Sequence, residues 1–375
     1  MEDYLGLLAE RAGELLAHGT PVTYPVSLAA STRIAVDRLA AESPAAVQML
    51  TVAAYLAPET IPLDLFTMHS DCLPDLLAAA AADRVEFAEL VRLLGQRGLV
   101  RVEAAGLWLH RVLAAILRTL PHCQPGPAQD LPCRVVRLLR AAAPEDRPWD
   151  NPPTWPAWRQ LLPHVLAATD PDRTLEGVEQ EVAWLLDRTA SYLQTRGEAD
   201  LARTLYERAW ELRRVQLGED HPDALESANN LAACLRDLGR YEQGRELAED
   251  TLNRYRRVLG EDHPHTLTSA NNLARGLWAL GRYEQARELG EETLTRYRRV
   301  LGEDHPDTLR SATNLAACLR ELGQHEQARQ LSEETLTRYR RVLGDDHPDT
   351  LRSASDLAAV VATPGEHDQD YRSGE

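Results

Sequence analysis

Between residues 222 and 238 the apolar positions Ala228, Leu231, Ala232, Leu235 and Leu238 recur at three- and four-residue steps. That spacing lays one apolar stripe along a helix. The stripe ends at Gly239, a second helical pattern runs from Tyr241 to about Leu259, and Gly260 follows. Glycine just past a helix supplies the positive φ that terminates it. Pro222 suits the first helical turn, preceded by a polar residue, Asp220 or His221. The small side chains of Ala228 and Ala232 let the two helices approach closely. The pattern then restarts: LGEDHPD at 217–223 returns as LGEDHPH at 259–265, LGEDHPD at 301–307 and LGDDHPD at 343–349. A fixed 42-residue period marks stacked helix pairs, none of which buries its apolar face alone. Units 177–218, 219–260, 261–302 and 303–344 fit this template, and 345–361 supplies one further first helix.

The N-terminal half has no such period. Leu5, Leu8, Ala12, Leu15 and Leu16 predict a short helix over 1–20, followed by a Thr-Pro break at 20–25. Helices follow at 31–41, from the Ser43 cap and Pro44 to about Leu56, and over 71–82 and 84–95. Residues 99–103 and 107–110 read as two short strands around a turn, and 111–120 returns to helix. Helices followed by a small hairpin predict a winged-helix-like domain at 25–120. Residues 121–176 form a connector: a proline-rich stretch, helices at 133–143 and 157–168, and a loop whose Trp149, Trp155 and Trp158 pin it to neighbouring helices. The expected fold is mainly α, a winged-helix-like domain followed by an α-solenoid at 177–361, a right-handed superhelix of helix pairs. The polar tail 362–375 is expected to be disordered.

Composition narrows the function. No apolar run reaches 18 residues, and the N-terminus lacks a basic segment followed by an apolar core, so neither a membrane span nor a secretory signal is expected. Five cysteines form no CxxC pair, which fits a reducing cytoplasm; Cys234 and Cys318 fall on the apolar stripe. The net charge is −17, with acid in excess in both halves, which argues against nucleic acid as a partner. All 41 basic residues are arginine. A chain without lysine has no GK[ST] phosphate loop and no Schiff-base lysine.

The repeat resembles the tetratricopeptide repeat of kinesin light chain type, with LGEDHPDALESANNLAACLRDLGRYEQG matching the family pattern nearly residue for residue. The resemblance implies a concave groove, lined by the first helices, that takes an extended peptide. The segments at 43–66 and 94–118 resemble the winged helix that follows the nucleotide-binding core of bacterial NB-ARC (STAND-class) signalling ATPases, and 154–168 resembles the connector of actinobacterial members. On that resemblance residues 1–24 are the remnant of a preceding module. Leu109-His110-Arg111 aligns with the family's MHD-like motif, making His110 the candidate sensor of an ADP β-phosphate. Arginine stands where aspartate is frequent, and the nucleotide-binding core itself is missing, so His110 would act only with a partner domain.

His221, His263, His305 and His347 sit in equivalent loops, separated by about one helix layer of roughly 10 Å. Metal ligands must converge to about 2 Å, so no metal site is expected. Asn229 and Asn230 recur as Asn271 and Asn272, then Thr313 and Asn314. Asparagine is a mediocre helix former; these amides either hydrogen-bond a peptide backbone in the groove or bond between repeats. Arg236, Arg275, Trp278 and Arg320 are further groove candidates, suited to a ligand with carboxylates and an apolar anchor, and Arg310 and Arg352 extend the basic stripe. Tyr255, Tyr297 and Tyr339 are expected to pack between repeats. The arginines of the repeated RYRRV segments lie near Glu249, Asp250, Glu291 and Glu292, at spacings suited to intrahelical ion pairs. No Ser/His/Asp or Cys/His arrangement has motif support. The expectation is a non-enzymatic interaction protein without a cofactor, whose groove binds a peptide or protein partner in bacterial signalling. Two alternatives stand beside it: the sensor half of a split STAND ATPase paired with a separate NB-ARC chain, and a winged-helix transcriptional regulator.

Overall fold

The computed structural model describes residues 28–104, 106–120, 131–148 and 151–361. The helix expected over 1–20, the break at 20–25, Cys123, Trp149, most of the proline-rich stretch and the tail 362–375 lie outside them. The chain divides into two compact units, one ending at Thr195 and the other starting at Arg196.

The first unit contains α1 (Leu28–Glu42), α2 (Pro44–Ala54), α3 (Asp64–Thr67), α4 (Asp75–Ala82) and α5 (Arg84–Gln96). Strands β1 (Arg101–Glu103) and β2 (Gly106–Trp108) follow, then α6 (Arg111–Leu117), α7 (Leu131–Ala142), α8 (Trp155–Ala168) and α9 (Glu179–Thr195). Helix α2 begins where Ser43 Oγ accepts the Ala46 N–H at 3.3 Å, and it is buried along most of its length against α1, α4, α5 and α6. The helix expected over 71–82 starts only at Asp75. Pro74 disfavours helical backbone in the residue before it, and Leu73 is accordingly extended, leaving a separate 3-10 turn at Ser70–Cys72. The two strands pair antiparallel with Val102 opposite Leu107, and Ile61 bridges to Leu107 as a third segment. Gly106 makes that bridge possible, since a Cβ there would stand 2.1 Å from the Ile61 carbonyl oxygen.

The connector helices close this unit. His164 on α8 is fully buried; its Nδ1 accepts the Ala57 N–H at 3.2 Å, so Nε2 carries the proton and donates to the Thr60 carbonyl at 3.2 Å. Trp158, also fully buried, packs against Trp184 of α9, and the Arg140 guanidinium lies 3.6 Å over the Trp184 ring. Trp155 Nε1 donates to the Pro148 carbonyl. Helix α9, which the 42-residue register assigns to the first repeat, thus packs on α7 and α8.

The second unit is a helix-pair solenoid: α10 (Ala199–Leu217), α11 (Pro222–Asp237), α12 (Tyr241–Leu259), α13 (Pro264–Ala279), α14 (Tyr283–Leu301), α15 (Pro306–Glu321), α16 (His325–Leu343) and α17 (Pro348–Val361). Each helix packs on the next, and Gly239 and Gly260, at φ of 74° and 85°, reverse the chain. The proline-led helices α11, α13, α15 and α17 also contact one another along the array, more closely than α12, α14 and α16 do. They therefore form the inner row.

The residue between loop and proline is settled as histidine. His221 Nδ1 accepts the Asp223 N–H at 3.2 Å, and His263, His305 and His347 repeat that cap. Asp220 is thereby free to do something else: it accepts from Arg254 at 3.2 Å and Arg257 at 2.6 Å. Asp262 takes Arg296 and Arg299 in the same way, and Asp304 takes Arg338 and Arg341. The RYRRV arginines thus make the expected intrahelical pairs, such as Arg254 with Asp250 at 2.7 Å, and also clamp the second helix to the loop before the first. Tyr255, Tyr297 and Tyr339 are buried, and Tyr255 donates to the Pro222 carbonyl. Among the described residues no helix is long and apolar enough to cross a membrane.

Candidate functional site

The inner row of the array carries a cleft of about 440 Å³ across α11, α13 and α15. Helix α13 supplies most of one wall because its Asn271, Ala274, Arg275 and Trp278 fall on successive turns of one face. Asn314, Leu315 and Cys318 of α15, Arg236 and Asp237 of α11 and Tyr241 of α12 complete the lining.

Five of the residues singled out in the sequence meet here: Arg236, Asn271, Arg275, Trp278 and Asn314. Asn271 is buried, and its Oδ1 accepts from Asn314 Nδ2 at 3.1 Å, so these two amides bond between repeats while lining the cleft. Asn229, Asn230, Asn272 and Arg320 are not part of the cleft wall. Asn229 is buried, and its Oδ1 has no hydrogen-bond partner among the described residues; Arg320 pairs with Glu321 at 2.7 Å. His110 lies in the other unit, where its Nδ1 accepts the Val112 N–H at 3.2 Å as the cap of α6. Its ring stands edge-on to Trp108 at 5.4 Å. The first unit and the array therefore use the same histidine cap.

Two features of the cleft escaped the sequence reading. Tyr241 is the first residue of α12 and reads in sequence only as a helix start, yet it is 40% exposed and forms part of the wall. The second is a departure from the repeat template. Residues 233–237 (ACLRD) and 317–321 (ACLRE) are nearly identical, whereas the same positions of the intervening repeat read RGLWA, residues 275–279. The signal was present in the aligned repeats, but only the fold shows that Arg275, Trp278 and Ala279 open onto one cleft.

The electrostatics are uneven. Arg236 pairs with Asp237 at 2.8 Å and Arg310 with Asp307 at 3.0 Å, but Arg275 has no hydrogen-bond or ion-pair partner among the described residues. Arg275 keeps surface open to the cleft while the concave walls crowd water from around it. That crowding, with Arg236 nearby, pulls its pKa down to about 10 from 12.5, and it remains a cation at neutral pH. Trp278 is 37% exposed, with its ring 6.5 Å from that of Tyr283. Burial raises the thiol of Cys318 to about 11 and that of Cys234 to about 12, so neither is a thiolate at neutral pH. No group of three or more metal-ligating side chains converges among the described residues. The cleft offers arginines, an aromatic face and amides.

Comparison with known proteins bears on the array. The tetratricopeptide repeat model matches residues 181–243, 223–299, 270–340 and 312–369, together just over half of the chain. Among solved structures, a kinesin light chain protein of nearly identical TPR-like repeats from Podospora anserina is 27% identical, covering 49% of this chain and 86% of that one, with a TM-score of 0.43. A Rap protein complexed with competence and sporulation factor is 10% identical, covering 89% and 88%, with a TM-score of 0.44. A STAND protein with a tetratricopeptide repeat sensor from Pyrococcus horikoshii is 13% identical, covering 100% and 68%, with a TM-score of 0.26. No curated protein sequence matches the chain.

Proposed function

This chain belongs to the tetratricopeptide repeat family, and on that premise we propose that it is a non-enzymatic interaction protein whose inner cleft binds a segment of a peptide or protein partner. Tetratricopeptide repeats are protein–protein interaction scaffolds, which sets the class of partner. The observation that carries the reading is the meeting of Arg275, Trp278, Asn271 and Asn314 on one wall-lined cleft of about 440 Å³. Aromatic and arginine side chains dominate the energetics of protein recognition, and amides can bond an extended backbone in both senses. In this reading the N-terminal unit is a winged-helix-like adaptor and the array is the sensing arm of a bacterial signalling protein, as the resemblance of residues 43–66 and 94–118 to NB-ARC-associated segments implies.

The test uses a substitution that fills the cleft without disturbing a core. Ala317 lines the cleft and is half-buried, and its equivalent in the preceding repeat is Arg275, so the register position accepts a large side chain. Peptides selected from a random display library against the full chain are expected to lose at least about tenfold in affinity on Ala317→Trp, the scale of one lost contact of about 1.4 kcal/mol. Val300→Ser, on the second-helix row, serves as the control. Equal affinity for wild type and Ala317→Trp would place binding elsewhere.

A further inference from the structure

Three nearly identical repeats allow an internal comparison. In the units 219–260 and 303–344, the arginine at the end of the first helix has its own carboxylate next in sequence: Arg236 with Asp237, and Arg320 with Glu321. In the unit 261–302 both members of that pair are gone, replaced by Trp278 and Ala279. One turn earlier, Arg275 replaces the alanine found at 233 and 317. The change does not follow a packing need. A Cβ at Gly276, which replaces Cys234 and Cys318, would meet no atom within 4 Å. The net result is local and specific: one ion pair is deleted, one aromatic ring is exposed, and one cation is added without an ion pair of its own, since the nearby Asp237 is held by Arg236 at 2.8 Å.

The surrounding cations do not share that condition. Arg310 pairs with Asp307 and Arg352 with Asp349, as Arg236 and Arg320 pair with their neighbours. A run of acidic residues entering the cleft would meet those carboxylates, on a chain whose net charge is already −17. The pKa of Arg275 is lowered first by crowding from the protein and then by Arg236, and Asp237 offsets this only in part; an arriving carboxylate would favour the cation further.

Resting on the peptide-binding reading above, we infer that the 261–302 repeat is the specifying unit of the array, and that its cleft takes a peptide segment bearing a single carboxylate beside a single bulky apolar side chain. The carboxylate meets the Arg275 guanidinium, whose planar fork suits a bidentate pair. The apolar side chain lies on Trp278 and Tyr241, and Asn271 and Asn314 face the backbone.

The experiment selects random nonapeptides displayed on phage against the immobilised full chain, then measures Kd for synthetic copies. Selected peptides are expected to carry one Asp or Glu within two positions of Leu, Phe or Trp. Changing that acid to its amide is expected to weaken binding about 10- to 100-fold to the wild-type chain, the range for a charge-assisted hydrogen bond, and to change nothing for Arg275→Ala. A fourfold variant, Arg275→Ala with Gly276→Cys, Trp278→Arg and Ala279→Asp, copies residues 233–237, a segment that already folds in this array. It is expected to lose binding while keeping its helical circular dichroism. Selection of acidic runs, selection of peptides without an acid, or full binding by the fourfold variant would overturn the inference. Binders that ignore the acid yet are blocked by Ala317→Trp would sink this inference alone. The absence of any saturable binder would sink the peptide-binding reading with it.

Discussion

The first unit and the array are held together over different lengths of chain. In the first unit the decisive hydrogen bonds join residues far apart in sequence: Ala57 to His164 across 107 residues, His164 to Thr60 across 104, and Arg173 to Tyr55 across 118. In the array the recurring long contacts span 34 or 37 residues, as in Asp220 with Arg254 and Arg257, and the Asn271–Asn314 bond spans 43. One unit is a single assembly in which each anchor is used once. The other repeats one local solution, so its stability is close to a sum over neighbours. The difference teaches where specificity can be altered cheaply. A residue such as Arg275 changes one repeat and leaves the scheme of caps and clamps untouched, whereas His164 has no second copy.

The largest effect should come from breaking a single-use anchor. Trp158→Ala empties a fully buried site and is expected to cost about 3–5 kcal/mol in chemical denaturation. Hydrogen exchange should show the loss in amides of 155–168 and 179–195, with the array helices as internal reference. Equal loss of protection in 264–279 and 306–321 would erase the contrast.

A smaller effect is expected from acid. Burial pulls the His164 pKa below the ordinary 6.5, outweighing the Thr60 carbonyl and Glu59, which favour the cation. The unfolded chain therefore binds a proton that the folded unit refuses. The stability from His164 is complete above pH 6.5 and is lost as pH falls below it, through the folded pKa. The first unit's midpoint should drop between pH 7 and 5, and His164→Asn should flatten that slope. A slope unchanged in the variant would assign it to other groups.

The smallest effect belongs to the array's clamps. Asp262→Asn neutralises an exposed carboxylate shared by Arg296 and Arg299. Exposed pairs contribute little and are screened by salt. Its thermal midpoint should shift less than either change above, and not at all in 0.5 M NaCl, roughly where the Debye length falls to about 4 Å. A salt-independent shift as large as that of Trp158→Ala would mean that the array is not locally held.

Most of the array was legible because its punctuation is covalent: proline at 222 and glycine at 239 and 260 fix the helix ends whatever surrounds them. The choice between Asp220 and His221 as cap was not legible, since both can accept an N–H. It depends on arginines 34 and 37 residues away that compete for the aspartate. Arg275 and Trp278 could be named from sequence, but their meeting with Asn314 and Tyr241 depends on how successive helices stack. In the first unit the helices and hairpin could be anticipated locally. The burial of His164 could not, because nothing near residue 164 points to residues 57 and 60.

The histidine cap and the aspartate clamp recur in phase with the 42-residue unit, and this makes the array divisible. Excising residues 303–344 would join the 261–302 unit directly to 345–361, with Asp307 and Arg310 replaced in kind by Asp349 and Arg352. The same excision would put Asp356 where Asn314 stands and Val360 where Cys318 stands. A whole-unit deletion would therefore preserve the scaffold's register while placing a carboxylate of the chain's own in the lining of the cleft that holds Arg275. Array length and ligand preference are written in the same residues, and one cannot be shortened without rewriting the other.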